Sequence, residues 1–426
     1  MTETRRFWLH VTLAALALIL GCWLSSGTLT PYGTHVYGDC QYRYNIDHEH
    51  FRAVFLMLEG RPEAEWNYSV VLRRVLHPLL AYPFYKEWGF ELGGFIFNIF
   101  SHVVALVGLA VAMRRFFDAR ASVLVTWLFA SYPGYAYWVG LPYSYAFIVP
   151  GCIACMIGLL WLHERPSLAR SVGAACVVGV IGLGYDLVPF FGGALAFMLI
   201  AYRRWRDLAA AMIVLGAWVV VIAKGLPLIF GFTAVNSNTQ AYGAVFAAWL
   251  HAWNRLGGWG ELLFEAPAVF ISNFVFSGFV FFPLLLLFVI WLHARLRVTP
   301  VLHRVALSIL LATLCVWAFL NLAPPYESAW QLRGEWIPRL YQPWFVAVLV
   351  AVAAGSVALR DNPKRKLLVV AVVATAVLDG AVIAGPFIGL TPLYATVHQR
   401  FYRAAFHNKN STWLNRLGRR PYGICK

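Results

Sequence analysis

The chain reads as an all-α integral membrane protein of about eleven transmembrane helices, and three observations carry that reading. Its 426 residues are 61% hydrophobic and only 12% charged, with a mean hydropathy of +0.67, well outside the range of soluble domains. Apolar runs recur from end to end, and those of about 18 residues or more are long enough to cross a hydrocarbon core of roughly 30 Å as a helix. Short basic clusters punctuate the runs, as anchors on the cytoplasmic side do. Lipid offers an open backbone no hydrogen-bond partner, so helices are the default.

The first run, 7–24, follows Arg5 and Arg6. Its length, the lack of a small-residue cleavage site and the many runs behind it make it a retained first span. Further basic clusters stand at Arg114, Arg115 and Arg120, at Arg165 and Arg170, at Arg203, Arg204 and Arg206, at Arg295, Arg297 and Arg304, and at Arg360, Lys364, Arg365 and Lys366. Taken as inner loops, they delimit spans at 7–24, 92–113, 121–134, 145–162, 171–185, 187–202, 208–232, 268–292, 305–322, 337–358 and 367–387, with the amino terminus inside and the carboxy terminus outside.

The formal charge of +15 belongs to these anchors rather than to a nucleic-acid surface. Of 19 acidic residues, the inner side keeps only Glu3, Asp118, Glu164, Asp207 and Asp361, and Asp379 falls within a span. Carboxylates therefore concentrate in the outer loops, which suggests that those loops do something. Seven cysteines are scattered, and Cys152 and Cys155 lie inside an apolar run, where helix packing is the expected role.

Two regions follow: a polytopic domain, 1–387, including a long outer loop at 25–91, and a basic tail, 388–426, on the outer face. Inner loops are short, whereas the outer side also holds a loop at 233–267 and a short one at 326–336. The tail carries Arg400, Arg403, Lys409, Arg416, Arg419, Arg420 and Lys426 without an acid, which a phosphate-rich surface would accommodate. Cys40 and Cys425 would share an oxidising side, where a disulfide could tie the tail over the first loop.

The first outer loop supplies the candidate chemistry. Asp39 stands among aromatic residues, Tyr37 and Tyr42, soon after the first span, and is the candidate base. Phe51, Val54, Phe55 and Leu58 recur at helical spacing, predicting a short interfacial helix whose apolar face dips into lipid. Asp47, His48, Glu49 and His50 precede them. These groups could bind a divalent cation, but neighbours on a helix diverge, so no metal site is assigned and no cofactor is expected.

Arg73, Arg74 and His77 precede an apolar stretch on the outer side, where the positive-inside rule gives no reason for arginine. Helical spacing puts Arg74 and His77 on one face. A guanidinium grips phosphate bidentately and an imidazole can add a donor; the plainer role is a headgroup anchor. Near the tenth span lie Glu335, Arg339 and Tyr341. Arg339 at the membrane surface needs an anionic partner, either Glu335 four residues earlier or a ligand. Tyr185 and Asp186 interrupt two apolar runs, as Tyr143 to Tyr145 interrupt another turn, and these turns could line the same cavity. Lys224 and Asp379 are intramembrane charges that could pair or mark a polar route.

This plan resembles the GT-C superfamily of membrane glycosyltransferases: a first span, a long outer loop with an early acid and interfacial helices, then many spans. The residues carrying the resemblance are Asp39, Arg73, Arg74, His77, Pro78, Arg339 and Tyr341. It implies a sugar donor linked to a polyprenyl phosphate, an acceptor that is a glycan, lipid or protein, and transfer with inversion on the outer face. A bacterial inner (plasma) membrane is the corresponding location. Asp39 would act as base, and Arg73, Arg74, His77, Arg339 and Tyr341 would hold the donor phosphate. The family often places two adjacent acids at the first-loop position, whereas Asp39 is followed by Cys40, leaving Asp47 or Glu49 as rival bases. A transporter or flippase of a lipid-linked glycan or other anion explains the basic residues but explains less well the long first loop and the outward carboxylates, and no inverted repeat is visible. A polysaccharide polymerase or ligase would share the donor type.

Overall fold

In a computed structural model of the chain the described residues are 2–25, 46–61, 74–132, 139, 144–185, 187–229, 285, 288, 304–322 and 342–384. They form helices joined by short turns, with no strand among the described residues. In chain order the helices are α1 (Glu3–Ser25), α2 (Ile46–Leu58), α3 (Leu76–Trp88), α4 (Phe90–Phe116), α5 (Ala119–Ser131), α6 (Ile148–Glu164), α7 (Leu168–Gly182), α8 (Val188–Ala201) and α9 (Trp205–Val220). Then come α10 (Arg304–Leu322), α11 (Gln342–Ala358) and α12 (Arg365–Ala384). A π-turn, Val221–Gly225, and a short turn, Leu226–Ile229, extend α9. Each expected span has a helix at its place except 268–292, which lies outside the described residues apart from Leu285 and Phe288.

Two stretches, Glu3–Trp23 and Leu92–Phe116, are individually long and apolar enough to cross a bilayer, while α5 to α8 and α11 are shorter apolar helices. Large apolar side chains face outward around the bundle: Leu16 is 57% exposed, Ile213 72% and Val377 65%. Such a surface is unstable in water and matched to lipid tails. The chain is a helical integral membrane protein.

Burial shows which helices are central. In α11 every residue from Gln342 to Ser356 is buried, and this helix packs on α5, α6, α10 and α12. Helix α6 touches α4, α7, α8, α10 and α11, and its Cys152 and Cys155 are buried packing residues. One flank is built from α1, α4, α5 and α12, the other from α7, α8, α9 and α10.

One end of this bundle is a charged network, and it gathers members of all five expected inner clusters, Arg295 and Arg297 lying outside the described residues. Arg115 and Arg170 both reach Glu164 Oε2 at 3.1 Å, Arg204 pairs with Asp207, and Arg360 Nη2 lies 3.0 Å from Asp118 Oδ2. Arg204 also donates to the Pro166 carbonyl at 2.8 Å, and the Arg304 guanidinium stacks over the Tyr202 ring. Arg114 donates to Thr4 in the first turn of α1. Two helices start here on side-chain caps: Asp118 accepts from the Ala121 amide at 2.6 Å and Ser167 from the Arg170 amide at 3.3 Å, each satisfying an otherwise orphaned N–H. The carboxyl of Asp118 feels partial burial, which alone would raise its pKa, but the Ala121 amide and Arg360 outweigh it and hold the group below its ordinary value. Arg115 and Arg170 do the same for Glu164.

Helix α2 corrects one expectation. Its apolar face does not dip into lipid. Ala53 and Val54 are buried, and Phe55 packs edge-on to Tyr85 at 5.6 Å and against Tyr82 and Phe90. The aromatic wall of α3 and the start of α4 covers that face first. Tyr82 adds a hydrogen bond of 2.6 Å to Glu59 at the end of α2. The corner between α3 and α4 depends on two glycines. Gly89 has φ +80°, a left-handed conformation that suits glycine, and a Cβ at Gly93 would sit 2.3 Å from the Phe84 carbonyl oxygen.

Candidate active site at the end opposite the basic face

Helix α7 begins in the charged network at Ser167 and runs 15 residues, so its far end stands about 22 Å away. There the Leu183 carbonyl accepts from the Leu76 amide at 3.0 Å, pinning the start of α3 to the end of α7. That contact positions Arg74, in the turn before α3. The Arg74 guanidinium lies 4.5 Å from the centroid of the Tyr185 ring, and Arg74 is only 5% exposed. An arginine anchored in headgroups would be exposed; this one is buried against an aromatic face, which favours the cation electrostatically.

His77 sits one turn along. Its Nε2 lies 3.0 Å from Asn98 Oδ1, and Asn98 Nδ2 donates to the Val139 carbonyl at 2.9 Å. That donation orients the amide with its oxygen toward His77, so the neutral imidazole donates from Nε2 and keeps Nδ1 as an acceptor. Burial pushes the imidazole down to about 4, against the pull of the Asn98 bond. Phe97 and Phe147 pack edge-on around the ring. His102, one turn further along α4, donates from Nδ1 to the Asn98 backbone carbonyl at 2.7 Å. A single asparagine thus ties α3, α4 and the Val139 segment together.

The structure therefore brings Arg74, His77 and Tyr185 to one place. Asp39, Arg73, Asp186, Glu335, Arg339 and Tyr341 lie outside the described residues, as do Cys40 and Cys425 and the tail from 385 onward. Asp47 and Glu49 lie in the first turn of α2, and their side chains are outside the described set. Among the described residues no three His, Cys, Asp or Glu side chains gather as a metal-ligand set. Sequence reasoning missed Asn98, whose only signal is an amide in the middle of an apolar run, and it did not link Tyr185 to Arg74.

Asp379 is fully buried in α12, and neither carboxylate oxygen has a hydrogen-bond partner among the described residues. It faces Tyr132, whose ring stacks on Phe345 at 3.8 Å. Lys224 is exposed, and among the described residues no ion pair joins it to Asp379.

The helical plan is similar in fold to solved GT-C structures. A crystal structure of ArnT from Cupriavidus metallidurans bound to undecaprenyl phosphate superposes with a TM-score of 0.54 over 98% of this chain and 77% of that one, at 15% identity. The apo form of the same protein gives a TM-score of 0.52 over the same shares, also at 15% identity. No family model matches the chain, and no curated protein sequence matches it.

Proposed function

We propose that the chain is a membrane glycosyltransferase that takes a sugar from a polyprenyl-linked donor and passes it to an acceptor hydroxyl on the outer face, with inversion. The observation that carries the reading is Arg74, a buried cation held on Tyr185 at the end of the bundle opposite the basic network. A fold shared with a protein crystallised with undecaprenyl phosphate supports it.

In this mechanism Asp39 accepts the proton of the acceptor hydroxyl as its oxygen attacks the anomeric carbon. The bond from that carbon to the lipid phosphate oxygen breaks in line, and the polyprenyl phosphate leaves. Arg74, with Arg73, Arg339 and Tyr341, stabilises the charge growing on the phosphate. His77 is held by Asn98 in its neutral tautomer, so it acts chiefly by keeping Arg74's turn against α4. Asp47 and Glu49 are the reserve bases, and Tyr185, Asp186 and Glu335 make up a secondary site in this proposal.

The test is sugar transfer in proteoliposomes supplied with a lipid-linked sugar. Asp39→Asn is expected to insert normally and lose transfer by a factor of 100 or more, on the order of general-base catalysis. Arg74→Ala is expected to act mainly on donor KM. Wild-type turnover by both variants contradicts the proposal.

A further inference from the structure

The basic face is not uniform, and its unpaired charge collects at one hollow. Arg115, Arg170, Arg204 and part of Arg360 are neutralised by Glu164, Asp207 and Asp118. Arg6, Arg120 and Lys366 have no carboxylate partner among the described residues, Arg365 feels Asp118 without forming a salt bridge to it, and all four line one cavity of about 1210 Å³ between the first turns of α1, α5 and α12. Glu3, Asp361 and His10 also face it, as does Arg360, so cations still predominate.

A second hollow lies in line with that cavity along α12. Leu124 is a wall both of the cavity and of this hollow, which measures about 520 Å³ and lies between the same three helices. The second hollow is apolar, bounded by Leu20, Trp127, Val373, Val377 and Ile383. From Lys366 to Ile383 the groove follows α12 for about 26 Å, most of the hydrocarbon thickness. A cationic mouth in line with a membrane-long apolar crevice complements one kind of molecule, an anionic amphiphile.

We infer that the groove between α1, α5 and α12 is a binding site for an anionic phospholipid. Its phosphate sits among Arg6, Arg120, Arg365 and Lys366, and one acyl chain lies along Trp127 and Val377. This site is separate from Arg74 and does not depend on the proposed transfer reaction.

The test uses the full chain purified in detergent and native mass spectrometry with phosphatidylglycerol and with phosphatidylcholine of the same acyl chains. Phosphatidylglycerol is expected to bind at least tenfold tighter, and the Arg120→Gln/Lys366→Gln pair to lower its affinity by roughly tenfold or more. Gly380→Leu probes the apolar half. A Cβ at Gly380 meets nothing within 4 Å and the residue lines the crevice, so the leucine fills it without a clash and is expected to weaken both lipids. Arg115→Gln, which touches Glu164 instead, is expected to bind as wild type. Equal affinity for the two lipids, unchanged binding in both test variants, equal protection by inorganic phosphate alone, or occupation of the groove by a second copy of the chain would each overturn the inference.

Discussion

Arg74 and Tyr185 come from segments more than a hundred residues apart and meet at 4.5 Å, where the Leu76 amide at the start of α3 donates to the Leu183 carbonyl that caps α7. The cation is oriented by the ring beneath it. Tyr185→Ala is expected to remove an interaction of about 0.5 to 2 kcal/mol and raise the donor KM by roughly two- to thirtyfold, while Tyr185→Phe keeps the stacking and the KM. Steady-state transfer kinetics on the three proteins check this.

Asn98 carries two buried hydrogen bonds, one to His77 and one to the Val139 carbonyl. Asn98→Ala leaves both partners unsatisfied and is expected to destabilise the protein by about 2 to 4 kcal/mol. Thermal unfolding in detergent reads the loss directly. Asn98→Asp is expected to fall between, since it keeps an acceptor for His77 but loses the donor for Val139.

The charged end predicts acid sensitivity. Asp118 and Glu164 both titrate below their ordinary values in the folded protein, so the folded state binds fewer protons than the unfolded one in that range. Their contribution is present above the unfolded carboxyl values, near 4, and is lost as the pH falls through the lower folded ones. Unfolding temperature is expected to hold between pH 7 and 5 and to drop below about 4. Asp118→Asn/Glu164→Gln is expected to flatten the acid limb of that profile.

Much of the fold was legible because the signals are additive. Long apolar runs and the arginines between them located helices α1, α4 to α9 and α10 to α12 to within a few residues. The acidic residues expected at the inner end, Asp118, Glu164 and Asp207, are the ones that pair with those arginines. Less was legible at the candidate site. Periodicity placed Arg74 beside His77, but the Tyr185 contact arises from α3 docking on α7, and no local pattern encodes that. The face of α2 was misassigned to lipid for a similar reason: an apolar stripe has the same period whether bilayer or neighbouring aromatics cover it. Tyr82, Tyr85 and Phe90 supply that cover here.

Asp379 gives a prediction about what stability is exchanged for. A buried carboxyl with no hydrogen bond is destabilising, and residues of that kind inside membranes are candidates for function. Asp379→Asn, which removes the ionisable group, is expected to unfold at an equal or higher temperature and to transfer sugar more slowly. Joint measurement of unfolding temperature and turnover decides it; a fall in both would assign Asp379 to structure alone.

The most direct measurement is a structure of the full chain in lipid nanodiscs with a polyprenyl phosphate bound. The phosphate is expected within about 3 Å of the Arg74 guanidinium, at the end of the bundle away from Glu164 and Arg360, with Asp39 facing it. A phosphate bound elsewhere, with Arg74 still closed on Tyr185 and empty of ligand, would contradict the assignment of this end as the site of transfer.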